Sequence, residues 1–222
     1  MPEPDLARRP FIFVLAGVNG AGKSSVGGAM LAEHGLTWFN PDSFARELVQ
    51  SLGLGANDAN GRAWQHGHSQ LDAAIANGTN YAFETTLGAK TIPALLVKAA
   101  ITHDVVVLFC GLQSPELHIR RVRSRVASGG HDIPESKIRE RWVTSRINLI
   151  RLMPYLARLQ VFDNSVEAAA GLDIPQLLLV LEMVNGRLAF PAPDDPQALA
   201  TTPAWARSVV QAAIEHQTDP AA

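Results

Sequence analysis

Eight consecutive residues, Gly17-Val18-Asn19-Gly20-Ala21-Gly22-Lys23-Ser24, fit the pattern G-x-x-x-x-G-K-[ST] without a mismatch. Glycines let a backbone wrap until successive N–H groups converge on one anion. A helix opening at Lys23 would aim the positive end of its dipole at the same point. The lysine would neutralise the β- and γ-phosphates of a nucleotide, and the Ser24 hydroxyl would ligate Mg2+. Gly17, Asn19, Gly20, Ala21, Gly22, Lys23, Ser24 and Ser25 are therefore the expected ATP contacts, with Ser24 the expected metal ligand. The apolar run Phe11–Ala16 comes directly before and supplies the strand–loop–helix context such a loop needs.

A phosphate-binding loop does not by itself name a reaction. The guanine signature N-K-x-D is missing from the chain, and the apolar run Val105–Gly111 ends without the carboxylate expected of a motor or transporter ATPase. Small-molecule kinases of this class place an acid at the end of the second strand, and Asp42 in Asn40-Pro41-Asp42-Ser43 occupies such a place. It could take the proton of an attacking hydroxyl; the plainer reading is that Asp42 or Ser43 caps the helix that follows. Glu84, Thr85 and Thr86 follow the strand-like Tyr81–Phe83, where open α/β sheets bind ligands, and are assigned to the acceptor. The competing role for Glu84 is a cap or a solvent-facing acid.

Arginines form the third group. Arg120, Arg121, Arg123 and Arg125 crowd one short helix, with Arg121 and Arg125 on one face. A Gly129-Gly130 turn leads to a second helix with Lys137, Arg139, Arg141 and Arg146, so the pair could form a lid over transferring phosphates. Arginine suits that task because its planar fork grips phosphate oxygens bidentately. A solvated helical face is the ordinary alternative. His131, between the two helices, could contact phosphate or serve the hinge. His66 and His68, two apart on a helix, make a poor metal pair, and Asp132 with Glu135 fits a capping box. Cys110, the single cysteine, lies in an apolar run and reads as a buried small hydrophobe.

Strand patterns at Phe11–Ala16, Thr37–Asn40, Tyr81–Phe83, Asp104–Leu112 and Leu159–Phe162 alternate with helical stretches, among them Lys23–Glu33, Ser43–Leu52 and Gly61–Ala76. That alternation predicts an α/β domain whose parallel sheet is covered on both faces. One domain is expected over residues 1–222, its core at 11–165. Residues 166–217 read as a C-terminal appendage, an Asn185-Gly186 hairpin followed by a helix.

Composition narrows the classes further. The 222 residues are 47% hydrophobic with a formal charge of −2, which fits one sizeable core and argues against a dedicated nucleic-acid binder. From Glu116 to Arg158, however, ten Lys+Arg face four Asp+Glu, a local +6 that leaves −8 for the rest. No apolar run approaches the roughly 20 residues of a membrane span, and a cytoplasmic protein is expected.

Several stretches together resemble the zeta-toxin-like family of phosphate-loop kinases, in its branch described as predicted ABC-type ATPases. They are Leu15–Ser25, Phe39–Asp42, Phe83–Leu87, Arg121–His131 and Phe162–Ser165. The resemblance implies an α/β P-loop NTPase of the kinase-like, three-layer type with a five-stranded parallel core. It would act as an ATP-dependent kinase that phosphorylates a hydroxyl of a UDP-activated amino sugar, with an antitoxin protein as partner. The resemblance maps the catalytic base onto Asp42, the substrate-side glutamate onto Glu84 and the first lid arginine onto Arg121. The second lid arginine falls at Gly129–Asp132, so Arg125, Arg139 or Arg141 would substitute. Asn164 lies where this fold lines the adenine pocket. Two rival functions are an ATP-binding or hydrolysing regulator with no acceptor, and a kinase of nucleic-acid ends, for which interleaved stacking aromatics are lacking.

Overall fold

A computed structural model describes residues 9–25, 27, 37–130, 132–166, 177–192 and 194–218. Six strands form one sheet: β1 (Phe11–Ala16), β2 (Tyr81–Thr85), β3 (Asp104–Gly111), β4 (Arg158–Asp163), β5 (Leu178–Val184) and β6 (Arg187–Phe190). Their order is β2-β1-β3-β4-β5-β6. The first four run parallel, with Ala16 level with both Thr85 and Phe109, so their carboxyl ends share one edge. Side chains alternate across β1 as strand geometry requires. Ile12, Val14 and Ala16 enter the main core with Leu71, Leu96 and Leu149, while Leu15 packs with Leu108 and Cys110. Gly27 lies against that second side, where an added Cβ would come within 2.3 Å of Leu15, so the helix after the phosphate loop packs tightly onto it. The remainder of the predicted helix Lys23–Glu33 lies outside the described residues.

The expected kinase-like α/β class is the one observed, but its parallel core has four strands rather than five, and an antiparallel pair extends the sheet. The predicted strand Thr37–Asn40 is a single parallel bridge from Phe39 to Phe83, held by Phe39 N–H to Ala82 O and Glu84 N–H to Phe39 O, both 2.9 Å. That bridge still delivers the following residues to the sheet's carboxyl edge. The helix expected to begin at Gly61 begins at Ala56 and runs to Asn77. Its Asn- and Gly-rich first turns are poor helix formers, but Ala59 and Ala63 are buried against Ala45 of helix Pro41–Leu52, and packing outweighs propensity.

The C-terminal segment continues the sheet. Asn185 (φ 49°) and Gly186 (φ 73°) make the predicted primed turn between β5 and β6, and β5 pairs antiparallel with β4. Helix Arg207–Thr218 sends Val209, Val210 and Ala213 into the main core. Trp205 lies on Gly111, where an added Cβ would approach its ring to 2.1 Å. Trp205→Ala is therefore expected to cost about 3–5 kcal/mol while unfolding stays a single transition in urea. Two separated transitions would mark the segment as an independent unit.

Candidate active site

The phosphate loop leaves β1 at Gly17, whose N–H donates to Thr85 O at 3.2 Å. Gly17, Gly20 and Gly22 all have positive φ (138°, 82° and 85°), and each lies so close to its surroundings that a side chain would collide. At Gly17 the obstacle is the Cys110 carbonyl oxygen, 2.2 Å from where a Cβ would stand. Glycine is thus required twice over, for conformation and for space.

Lys23 is almost buried, and its ammonium pairs with Glu84 (Nζ to Oε1, 3.3 Å) while donating to Val18 O at 3.4 Å. A cation so withdrawn from water requires a counter-charge. Ser24 Oγ donates to Glu84 Oε2 at 2.9 Å, and Asn40 Nδ2 reaches both Glu84 Oε2 (2.9 Å) and Ser24 Oγ (3.2 Å). The acid that Val105–Gly111 lacks thus stands at the end of β2, the other neighbour of β1. A hydroxyl and a carboxylate beside an anion-binding loop form a hard-oxygen donor set suited to Mg2+, an ion that takes few protein ligands and keeps several waters. Among the described residues no three His, Cys, Asp or Glu side chains gather into a metal cluster.

Asn40 also settles the capping question. Its Oδ1 accepts from Ser43 N–H at 3.1 Å with Pro41 in the first turn, so it, not Asp42 or Ser43, caps helix Pro41–Leu52. Asp42 is left facing the site, where Arg125 Nη1 approaches its carboxylate to 3.6 Å.

Two cavities open on this edge. One of about 370 Å3 is lined by the loop residues Gly20, Gly22, Lys23, Ser24 and Ser25 together with Arg46, Arg121 and Arg125. The other, about 580 Å3, is lined by Phe39, Phe83, Thr85 and Thr86, by Asn57, Asn60, Trp64 and His68 of one helix, and by Asp132 and Arg141. Asn19, Lys23, Asn40, Asp42 and Glu84 line both and form the wall between them.

The cationic segment divides by direction. Arg121 and Arg125, on helix Pro115–Ala127, reach the smaller cavity. Arg141, on helix Glu135–Leu152, donates to Asn19 Oδ1 at 2.8 Å and borders the larger one. Arg139 turns outward to Glu116 at 2.6 Å, Arg123 pairs with Glu135 at the surface, and Arg120 is exposed. Arg146 lies over the Trp142 ring, 3.7 Å from its centre, and donates to Trp205 O, a packing role. The Gly129-Gly130 turn ends the first helix, and Gly130 leaves room for Arg125, whose Cγ would be 2.6 Å from an added Cβ.

Other expectations need correction. The Asp132–Glu135 capping box does not form: Pro134 precedes the helix with no side-chain cap, Glu135 meets Arg123, and Asp132 Oδ1 accepts from Ile133 N–H. A box needs the acid to fold back on its own first turn, and here a neighbouring arginine holds it. Asn164, expected beside the adenine, is 1% exposed behind the loop and lines neither cavity; its Nδ2 donates to Ala21 O at 2.8 Å. His131 lies outside the described residues. His66 stacks on Phe44 and His68 pairs with Asp72, in keeping with the reading that they are no metal pair. Cys110 is fully buried and its thiol is pushed up to about 12 by loss of water, in keeping with an inert role.

From the sequence alone Asn40 is not expected in the site, and Arg141 is one alternative of three. Asn40 carries a local signal, an Asn before a Pro at a helix start; its bonds to Ser24 and Glu84 carry none. His118 had no signal at all. It is 1% exposed, and its Nδ1 bonds Asn19 O at 2.9 Å. Burial, helped by nearby Lys23 and Arg121, lowers its pKa to about 4 against the hydrogen bond it donates to the Asn19 carbonyl, which raises it.

Residues 12–142 match the sequence profile of the family described as AAA domain. No protein of curated function matches the chain. Among solved structures, AvrRxo1-ORF1 in complex with AvrRxo1-ORF2 is similar at 15% identity, with a TM-score of 0.59 with sulphate ions and 0.58 with ATP. That similarity covers 82% of this chain and 60% of the first of those structures, so the chain spans about three fifths of its length. The PezAT chromosomal toxin–antitoxin system of Streptococcus pneumoniae follows at 17% identity and TM-score 0.50, covering 71% of this chain and 69% of that one. A chain of the Pnkp1/Rnl/Hen1 RNA repair complex gives 19% identity and TM-score 0.50 over 67% of this chain and 48% of that one. The fold is thus that of phosphate-loop kinases.

His118 makes one consequence measurable. Its folded pKa lies below the ordinary value near 6.5, so the unfolded chain binds the extra proton between those limits. The stabilisation is complete above about pH 6.5 and falls by about 3 kcal/mol as pH drops to 4. Urea unfolding of wild type and His118→Asn across that range should show the steeper decline in wild type; parallel curves would contradict it.

Proposed function

The chain belongs to the AAA domain family, and from that premise we propose that it is a Mg2+-dependent kinase moving the γ-phosphoryl group of ATP to a hydroxyl of a small molecule. One observation carries the reading: the phosphate cavity and the larger cavity beside it share a wall of Asn19, Lys23, Asn40, Asp42 and Glu84. A regulator that only binds or hydrolyses ATP needs the first cavity alone; a transferase needs both, with its chemistry at the junction.

In this reading the loop amides and Lys23 hold the triphosphate, and Arg121, Arg125 and Arg141 offset charge as it moves to the acceptor. Ser24 and Glu84 would hold Mg2+, which when bound draws charge from the phosphate oxygens. Glu84 therefore serves the metal side rather than the acceptor. Asp42 takes the proton of the acceptor hydroxyl as its oxygen bonds the γ-phosphorus and the bond to ADP breaks. Before that, Asp42 must exchange Arg125 for the hydroxyl, and the γ-phosphate is the natural competitor for the guanidinium.

A UDP-activated amino sugar is the acceptor class that the zeta-toxin resemblance implies. The amide side chains and exposed indole of the larger cavity support a polar acceptor that carries a ring. An antitoxin partner follows from the same resemblance. No described helix is long and apolar enough to cross a membrane.

Asp42→Asn is expected to lower phosphotransfer by roughly 10²–10⁴ while leaving ATP affinity close to wild type. Labelled ATP with Mg2+ and a panel of UDP-sugars and small metabolites, followed by mass spectrometry, reads transfer and acceptor together. Full turnover in the variant would remove Asp42 from the chemistry, and free phosphate as the sole product would favour the regulator.

A further inference from the structure

We propose that His118 and Asn164 are positioning residues that aim two amides of the phosphate loop at the phosphates by holding the loop's carbonyl groups from behind. The proposal rests on the loop being a polyphosphate site. In a trans peptide the C=O and the next residue's N–H belong to one plane and point opposite ways. His118 Nδ1 bonds the carbonyl oxygen of Asn19 at 2.9 Å, which turns the Gly20 N–H the other way. Asn164 Nδ2 bonds the carbonyl oxygen of Ala21 at 2.8 Å, which does the same for Gly22. Gly20 and Gly22 both line the smaller cavity, whereas His118 and Asn164 line neither cavity of the site.

The two braces stand on different elements, each firmly fixed. His118 lies in helix Pro115–Ala127, and its backbone oxygen is 2.8 Å from where a Gly20 Cβ would be. Asn164 follows β4, its N–H donates to Gly111 O at 3.0 Å, and its Nδ2 is 2.4 Å from where a Gly22 Cβ would be. The adjacent Ser165 accepts from Gln113 N–H at 2.7 Å, which ties this corner to the start of the arginine helix. Both side chains are 1% exposed. Asn164 Oδ1 has no hydrogen-bond partner among the described residues, so the buried amide forgoes one bond to make the one to Ala21. An apolar residue there would leave the Ala21 carbonyl unpaired instead. The Asp163-Asn164-Ser165 triplet thus acts through the loop and not on the base.

The test is calorimetric titration of inorganic tripolyphosphate, ADP and adenosine into wild type, Asn164→Asp, His118→Leu and His118→Asn, with a melting curve for each. Aspartate keeps the shape of asparagine but replaces the donor with an oxygen. Asparagine at 118 sets an amide nitrogen near the place of Nδ1, so it restores the bond that leucine removes. Tripolyphosphate and ADP should bind roughly tenfold more weakly to Asn164→Asp and His118→Leu, with adenosine unchanged and His118→Asn near wild type. Unchanged tripolyphosphate affinity in folded Asn164→Asp would overturn the proposal, as would an equal loss of adenosine, which would make Asn164 a base contact. Equal losses in both His118 variants would reduce His118 to filler and overturn its half. Should Asn164→Asp fail to fold, the His118 pair decides. If wild type binds no tripolyphosphate, the reading of the loop itself fails, an outcome separate from failure of the braces.

Discussion

A loop that turns its amide hydrogens toward an anion must turn its carbonyl oxygens toward its own interior, and that interior has to accept them. Here it does so for three of them. Val18 O receives the Ala21 N–H at 3.1 Å and the Lys23 ammonium, Asn19 O receives His118, and Ala21 O receives Asn164. Unpaired carbonyls at this depth would each cost a substantial fraction of a small protein's stability. The helix that carries Arg121 and Arg125 and the end of β4 are held to the loop by these bonds. The loop therefore organises the sheet edge as much as the sheet carries the loop.

Charge follows the same logic. Lys23 is kept from water by the loop, so Glu84 is drawn to the end of β2 to balance it, and Ser24 and Asn40 collect around the same carboxylate. The cationic excess between Glu116 and Arg158 divides by direction. Arg123 and Arg139 meet Glu135 and Glu116 at the surface, where pairing is worth little. Arg121, Arg125 and Arg141 turn toward the cavities, and the acid that Arg125 meets is Asp42 itself. Arg125 and Asp42 thus rest on each other where both line the smaller cavity.

What could be read from the chain follows from the range over which each signal acts. The loop, its preceding strand and the Asn185-Gly186 turn are local: a few adjacent residues with special φ angles or fixed chemistry announce them. The parallel sheet follows from alternation of pattern. Beyond that range, local signals mislead. Asp132 and Glu135 have capping-box spacing, but Arg123, twelve residues before Glu135, decides where that acid goes. Asn57, Gly61 and Gly67 weaken a helix on paper; Ala59 and Ala63 buried against Ala45 restore it. Glu84 was legible as a site residue because it ends a strand, but its partner was not, since sixty residues separate it from Ser24. His118 was silent for the same reason: one histidine on a helix says nothing until the loop carbonyl it faces is known.

This difference in range also separates the two cavities. The phosphate side is dictated by chemistry shared by every triphosphate, so a short stretch of sequence can specify it. The far wall of the larger cavity is built differently. Asn57, Asn60, Trp64 and His68 recur at about one helical turn, so they share a face, and that face is held over the site by Phe39 and by the packing of Gly67 against its ring. An added Cβ at Gly67 would come within 2.6 Å of Phe39, so the helix can approach only because that residue is small. Phe39 is also the residue that bridges to β2 and leads into Asp42. The position of Asp42 and the depth of the larger cavity are thus set by one contact. A change in the far wall of the larger cavity need not disturb the phosphate loop, but it cannot leave the Phe39–Gly67 contact out of account.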